Sequence, residues 1–202
     1  MKKKLVLALL MAALLAGGAF AQVSAGAGIT LVPSFGEMKY KGGGSSKTEG
    51  FGFAVNAFFD AAYVEVNLGL LFDSTKPDTS GAKSTDTTNL ILGVVGKFPI
   101  SISEKFTFFP FAGIDYNINL AATYDGKEIK DEGSFKKADA FNALSILFGI
   151  GFDLGLTDSM YLRTSAGYGI ILNTKYEEDN KDYYDSNSKG KIPIKVAVGF
   201  KF

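Results

Sequence analysis

The sequence predicts an all-β chain: an eight-stranded antiparallel up-and-down transmembrane β-barrel behind a cleaved signal peptide. Three observations predict it. The chain begins with a basic, then apolar, then small-residue leader. Eight later segments alternate between apolar and small or polar side chains over about 10 residues each, the length that crosses a hydrocarbon layer at a tilt. The connections between those segments run long, short, long, short.

Lys2, Lys3 and Lys4 form a positive start, Leu5 to Leu15 is uninterruptedly apolar, and Ala19 and Ala21 stand at the two positions a signal peptidase reads. Cleavage after Ala21 divides the chain into a signal peptide, 1–21, and a barrel domain, 22–202. The apolar run is shorter than the roughly 20 residues of a spanning helix, and no later run is long enough for one.

Side chains of a strand point alternately to opposite faces, so a period of two identifies each wall segment. The first is the weakest: Val23, Ala25, Ala27, Ile29 and Leu31 against Ser24, Gly26, Gly28 and Thr30. Phe51, Phe53, Val55, Ala57 and Phe59 follow, against Gly52, Ala54, Asn56 and Phe58. The third sets Val64, Val66, Leu68, Leu70 and Phe72 against Tyr63, Glu65, Asn67 and Gly69. The fourth sets Leu90, Leu92, Val94 and Phe98 against Asn89, Ile91, Gly93, Val95 and Lys97. The fifth runs from Phe106 to Leu120, with Phe109, Phe111, Gly113, Asp115, Asn117 and Asn119 on its second face. The sixth, Ala143 to Leu154, keeps Ser145, Leu147, Gly149, Gly151 and Asp153 there. The seventh, Met160 to Asn173, keeps Tyr161, Arg163, Ser165, Gly167 and Gly169. The eighth is the clearest: Ile192, Ile194, Val196, Val198, Phe200 and Phe202 against Lys191, Pro193, Lys195, Ala197, Gly199 and Lys201.

Four polar stretches, Gly36 to Glu49, Asp73 to Thr87, Asp125 to Asp139 and Thr174 to Gly190, read as long loops. Asp60-Ala61, Pro99 to Lys105 and Gly155 to Ser159 read as short joins. A barrel with one rim outside the cell and the other in the periplasm shows this asymmetry. The second face of each segment decides between lipid and water outside. A water-facing surface carries about 25–35% charged residues, whereas this face holds mainly Gly, Ala, Ser and Asn with sparse charges. Small residues suit a narrow barrel interior, and the aliphatic face suits lipid. Aromatics near both strand ends, such as Phe98, Phe106, Phe108, Phe152, Phe200 and Phe202 at one and Phe35, Phe51, Phe72, Tyr124, Phe141 and Tyr176 at the other, read as interfacial girdles. A soluble secreted lipocalin-like barrel remains the remote alternative.

The leader, the eight alternating segments and the final strand Lys195 to Phe202 resemble small bacterial outer-membrane proteins of the OmpA transmembrane-domain, OmpX and OmpW type. The resemblance implies an outer-membrane location. It also implies that Phe202, with Phe200, Val198 and Val196 behind it, is the C-terminal signal read by the barrel-assembly machinery. Periplasmic chaperones and outer-membrane lipid are the further partners expected of such a chain. A peptidoglycan-binding domain after Phe202 is not expected.

The chain has no Cys and no His. Disulfides, a thiol metal site, a lipoprotein anchor, Ser-His-Asp triads and His-ligated zinc are therefore excluded, and neither an enzyme nor a cofactor is expected. Residues 22–202 hold 18 bases against 21 acids, which gives no basic footprint for nucleic acid. Gly42 to Thr48 lacks the glycine spacing of a phosphate loop, and Glu177 to Asp182 with Asp185 lacks that of a calcium loop. Tyr40, Tyr183 and Tyr184 are candidate anchors for an extracellular ligand of unknown identity, or equally for the bilayer surface.

The candidate site is the set of charges on the second face: Glu65, Lys97, Asp115, Asp153, Arg163 and Lys195. Inside a narrow barrel they must pair, because an isolated buried charge costs several kcal/mol. The expected pairs are Lys97 with Glu65 and Arg163 with Asp153. A largely filled lumen then leaves a structural and surface-interaction role to four long extracellular loops. The alternative is a narrow OmpW-like channel for small or apolar solutes.

Overall fold

Each alternating segment forms a strand, and each strand pairs with the next along the chain. The computed structural model describes residues 23–133 and 135–202, so the leader, with Ala19 and Ala21, lies outside the described residues. The elements are β1 (Val23–Tyr40), β2 (Ser45–Ala61), β3 (Val64–Pro77), β4 (Thr85–Lys97), β5 (Ile100–Ser101), β6 (Phe106–Tyr124), β7 (Lys127–Glu128), α1 (Lys137–Phe141), β8 (Ala143–Gly155), β9 (Met160–Ile171), α2 (Lys175–Asp179), a 3-10 turn (Lys181–Tyr183), β10 (Tyr184–Lys191) and β11 (Ile194–Lys201). All pairings are antiparallel. β1 pairs with β2 on one edge and with β10 and β11 on the other, which closes the sheet on itself and leaves no open edge in the wall.

β10 and β11 are one wall strand. Lys191 faces Ser34 and Gly169, and Ile194 faces Leu31 and Ala166, so the register is unchanged across Ile192-Pro193. Pro193 lacks the N–H a ladder needs, yet its carbonyl still accepts from Gly167 N at 3.1 Å. Among the described residues the wall therefore has eight strands: β1, β2, β3, β4, β6, β8, β9 and β10–β11.

The faces follow the period of two. Ile29, Val55, Leu68, Leu92, Ile114, Ile150, Val196 and Phe200 are exposed, while Val32, Ala54, Phe58, Leu71, Val95, Phe109, Tyr161 and Ala197 are buried. A continuous belt of exposed aliphatic side chains is a surface for hydrocarbon rather than water. Inside, glycine and aromatic side chains are complementary. A Cβ on Gly151 would lie 2.3 Å from the Phe109 ring, and one on Gly199 would lie 2.2 Å from the ring of Tyr161. Glycine on one strand thus makes the space that a ring from its neighbour fills, which accounts for a chain rich in both.

Several expected boundaries shift. Three of the stretches read as long loops are partly strand: β1 continues to Tyr40 and β2 begins at Ser45 in the first, β3 continues to Pro77 and β4 begins at Thr85 in the second, and β10 begins at Tyr184 inside the fourth. Hairpin hydrogen bonds persist after the side chains turn polar, so polarity marks the end of the apolar belt and not the end of the strand. The third stretch contains β7 and leads into α1, which holds Phe141; α2 holds Tyr176. The first short join is Ala62-Tyr63, with Ala62 at φ 52°, and not Asp60-Ala61, which still belongs to β2. In β6 a register shift against β4 at Thr88/Asn89 skips Leu120, so inward positions are odd up to Asn119 and Ala122 is buried above it.

Candidate functional site

The lumen is where this chain concentrates its buried polarity. Asp60, Glu65, Lys97, Asp115, Arg163, Lys191 and Lys195 are all buried. Each sits on the inward face of a wall strand, placed there by the same alternation that sends the aliphatic residues outward.

Arg163 on β9 lies at the centre of the lower group, 2% exposed. Its Nε donates to Asp153 Oδ1 at 2.7 Å, and its second terminal nitrogen donates to Asp153 Oδ2 at 2.6 Å and to Asp60 Oδ2 at 2.7 Å. Its first terminal nitrogen donates to Glu65. A guanidinium presents a planar fork of five N–H donors, and here that fork spans from β9 to β2, β3 and β8. Lys97 on β4 donates to Asp60. Lys195 on β11 donates to Glu65 Oε1 at 2.8 Å and to Asn67 Oδ1 at 2.7 Å. Three cations and three carboxylates thus balance, the condition under which buried charge is tolerated.

Aromatic rings pack round the cations. The Arg163 guanidinium lies 5.0 Å from the ring centres of Phe58 and Phe109 and 5.1 Å from Tyr161, and Lys195 Nζ lies 4.5 Å from Phe58. The quadrupole of a ring favours a cation on its face. Tyr161 and Ser24 share a hydrogen bond of 2.7 Å at the same end. A separate pair lies nearer the opposite rim: Lys191 Nζ donates to both oxygens of Asp115 at 2.8 Å.

All six charges named from the sequence face inward, and Arg163 pairs with Asp153, directly opposite it across β8 and β9. The expected Lys97–Glu65 pair is not formed. Glu65 lies opposite Val95 on β4, two residues from Lys97, and accepts from Arg163 and Lys195 instead, while Lys97 takes Asp60. Asp60 and Lys191 complete the set. Asp60 is the next inward position after Gly52, Ala54, Asn56 and Phe58, and its place in a supposed turn hid it. Lys191 shares the inward face of its strand with Lys195. Val196, Val198, Phe200 and Phe202 lie along β11 and its end, with Phe202 N donating to Val23 O at 2.9 Å where the last and first strands meet.

Above the apolar belt the loops are tied to one another. Rings of Tyr40 and Tyr184 lie 5.8 Å apart, and those of Phe135 and Tyr176 lie 5.9 Å apart. Thr174 and Glu177 form a reciprocal capping box at the start of α2, and Glu177 also accepts from Lys189. Burial alone would raise the Glu177 pKa. The Lys189 ammonium and the Thr174 backbone N–H outweigh it and hold that carboxyl below the usual range.

A family model described as an outer membrane protein beta-barrel domain matches residues 5–202. No curated protein sequence matches the chain. Among solved structures, Neisserial surface protein A is 13% identical, with 87% of this chain and 97% of that one covered at a TM-score of 0.45. OprG from Pseudomonas aeruginosa is 13% identical, with 90% and 96% covered at a TM-score of 0.44. A major outer membrane protein from Thermus thermophilus is 15% identical, with 86% and 99% covered at a TM-score of 0.42.

Proposed function

The chain belongs to the outer membrane protein β-barrel domain family, and we propose that within it this protein is a plugged barrel that presents its loops to the outside of the cell. The bacterial outer membrane is the setting of that family. The observation that carries the proposal is the Arg163 cluster, in which one guanidinium bonds three carboxylates from three other strands across the lumen. A water-filled pore would hydrate such groups separately, whereas here they pair with one another, and Arg163, Asp60 and Glu65 are buried. With the lumen filled, the surface left for recognition is the rim. Four connections lie there, two of them short hairpin ends, and Tyr40, Tyr176 and Tyr183 are exposed, Tyr183 at 70%. Its partners in this reading are outer-membrane lipid round the belt, the periplasmic chaperones and barrel-assembly machinery during insertion, and a ligand at the rim.

Planar-bilayer recordings of refolded protein test the plug, and protease added to intact cells tests the topology. The reading expects no steady conductance and cleavage between Lys175 and Tyr183. Steady ohmic conductance overturns the plug, and cleavage only after the outer membrane is permeabilised overturns the orientation.

A further inference from the structure

Two closures cross the lumen at different levels, with a cavity of about 110 Å3 between them. The lower closure is the Arg163 cluster. The upper one is half ionic and half apolar: Lys191 reaches from β10 to Asp115 on β6, and Val32, Ala54 and Leu71 pack together from β1, β2 and β3. Among the described residues, Asp115 and Lys191 share no ion pair with the lower cluster, whose own members interlock through Asp60 and Glu65.

The cavity is bounded below by Glu65, Arg163 and Lys195 and above by Asp115 and Lys191. Thr30, Asn56 and Ser165 add polar groups to its wall. A water takes about 30 Å3 of the liquid, and one needs two to four polar partners to be held, so the chamber suits a few waters or one solute of comparable size.

Resting on the plugged-lumen reading, we propose that the two closures act in series. Each seals the barrel by itself, and the chamber between them is a compartment occluded from both sides. Among the described residues the closures share no ion pair, so either one can open while the pairs of the other stay formed. Passage of even a small polar solute then requires both to open, whereas access to the chamber requires one.

The chain has no cysteine, so Gly93→Cys places a single thiol in the chamber wall. A Cβ there meets nothing nearer than 3.5 Å. Protein refolded into vesicles is exposed to a charged methanethiosulfonate reagent on one side at a time, and the same variants are recorded in planar bilayers. Two background changes each remove matched charges. Asp115→Ser with Lys191→Ser opens the upper closure, and Asp153→Ser with Arg163→Ser opens the lower one while leaving the Lys97–Asp60 and Lys195–Glu65 pairs intact.

With both closures native, the thiol is expected to react from neither side. The upper change is expected to admit reagent from the loop side only and the lower change from the turn side only, both without conductance. All four substitutions together are expected to conduct. Conductance from either change alone overturns the series arrangement, and reaction of the thiol between two native closures overturns the occlusion. Conductance of the unsubstituted barrel overturns the plugged-lumen reading itself. Should the lower change fail to show the heat-modifiable mobility of a folded barrel, the upper change decides alone: labelling without conductance supports the series, and labelling with conductance refutes it.

Discussion

Lys97→Met removes one cation from a balanced group of three and three, and the structure says which carboxylate loses. Lys97 bonds Asp60, and the same Asp60 oxygen also accepts from Arg163 at 2.7 Å. Two unit charges about 3 Å apart attract by roughly 5 kcal/mol at an effective dielectric of 20. Much of that is offset by desolvation, and breaking a buried pair typically costs about 3–5 kcal/mol. Because Arg163 stays on Asp60, the expected loss lies at or just below the low end of that range, about 2–3 kcal/mol. Adding Asp60→Asn removes the stranded charge and is expected to recover more than half, whereas adding Glu65→Gln is expected to worsen the loss, because Arg163 and Lys195 then face one carboxylate fewer. The assay is equilibrium urea unfolding in lipid vesicles of the single and double variants, read as coupling energies. A Lys97–Glu65 coupling larger than the Lys97–Asp60 coupling refutes the assigned geometry, and couplings below about 0.5 kcal/mol for both refute a dry lumen.

Val196→Arg puts a charge on the lipid face near mid-strand and is expected to cost about 2–4 kcal/mol by the same unfolding measurement. Gly151→Ala drives a methyl into the Phe109 ring, 2.3 Å away, and is expected to cost about 1–3 kcal/mol. Gly93→Ala, with no contact nearer than 3.5 Å, is expected to be neutral within about 0.5 kcal/mol. The lowered pKa of Glu177 makes the rim pH-dependent. A carboxyl with a depressed folded-state pKa stabilises above its unfolded value, near 4.3, and that stability is lost as pH falls through the lower value. Protease cutting within Lys175–Tyr183 is therefore expected to quicken as the buffer is acidified through that range, and Glu177→Gln is expected to cut quickly at every pH.

The wall was legible because a period of two fixes the face of every residue once one face is apolar, and inner and outer residues separate along all eight strands. The partners were harder to read. Register aligns neighbours in the sheet, but across a lumen the meeting side chains come from strands that are not neighbours, at heights set by strand tilt. Lys97 and Glu65 lie on paired strands and still choose other partners. Asp60 was hidden for a simpler reason: an acidic residue beside Ala61-Ala62 resembles turn chemistry, although the alternation through Phe58 carries it inward. Loop polarity misplaced the strand ends at Tyr40, Pro77 and Tyr184, since backbone pairing is indifferent to whether a side chain meets lipid or water.

The meeting of β1 with β11 governs how long the barrel lasts. Ser24 pairs with Lys201, so the ring closes only when the two ends of the domain find each other, and contacts so distant in sequence form late and slowly. Arg163 cannot bond β2, β3 and β8 together until the wall has curved round to bring those strands to face it. Interactions made only after the rate-limiting step slow unfolding and leave the folding rate unchanged. The charges at the centre of the barrel therefore act as a latch set after assembly, and the persistence of the folded protein in the membrane is a matter of escape rate as much as of equilibrium.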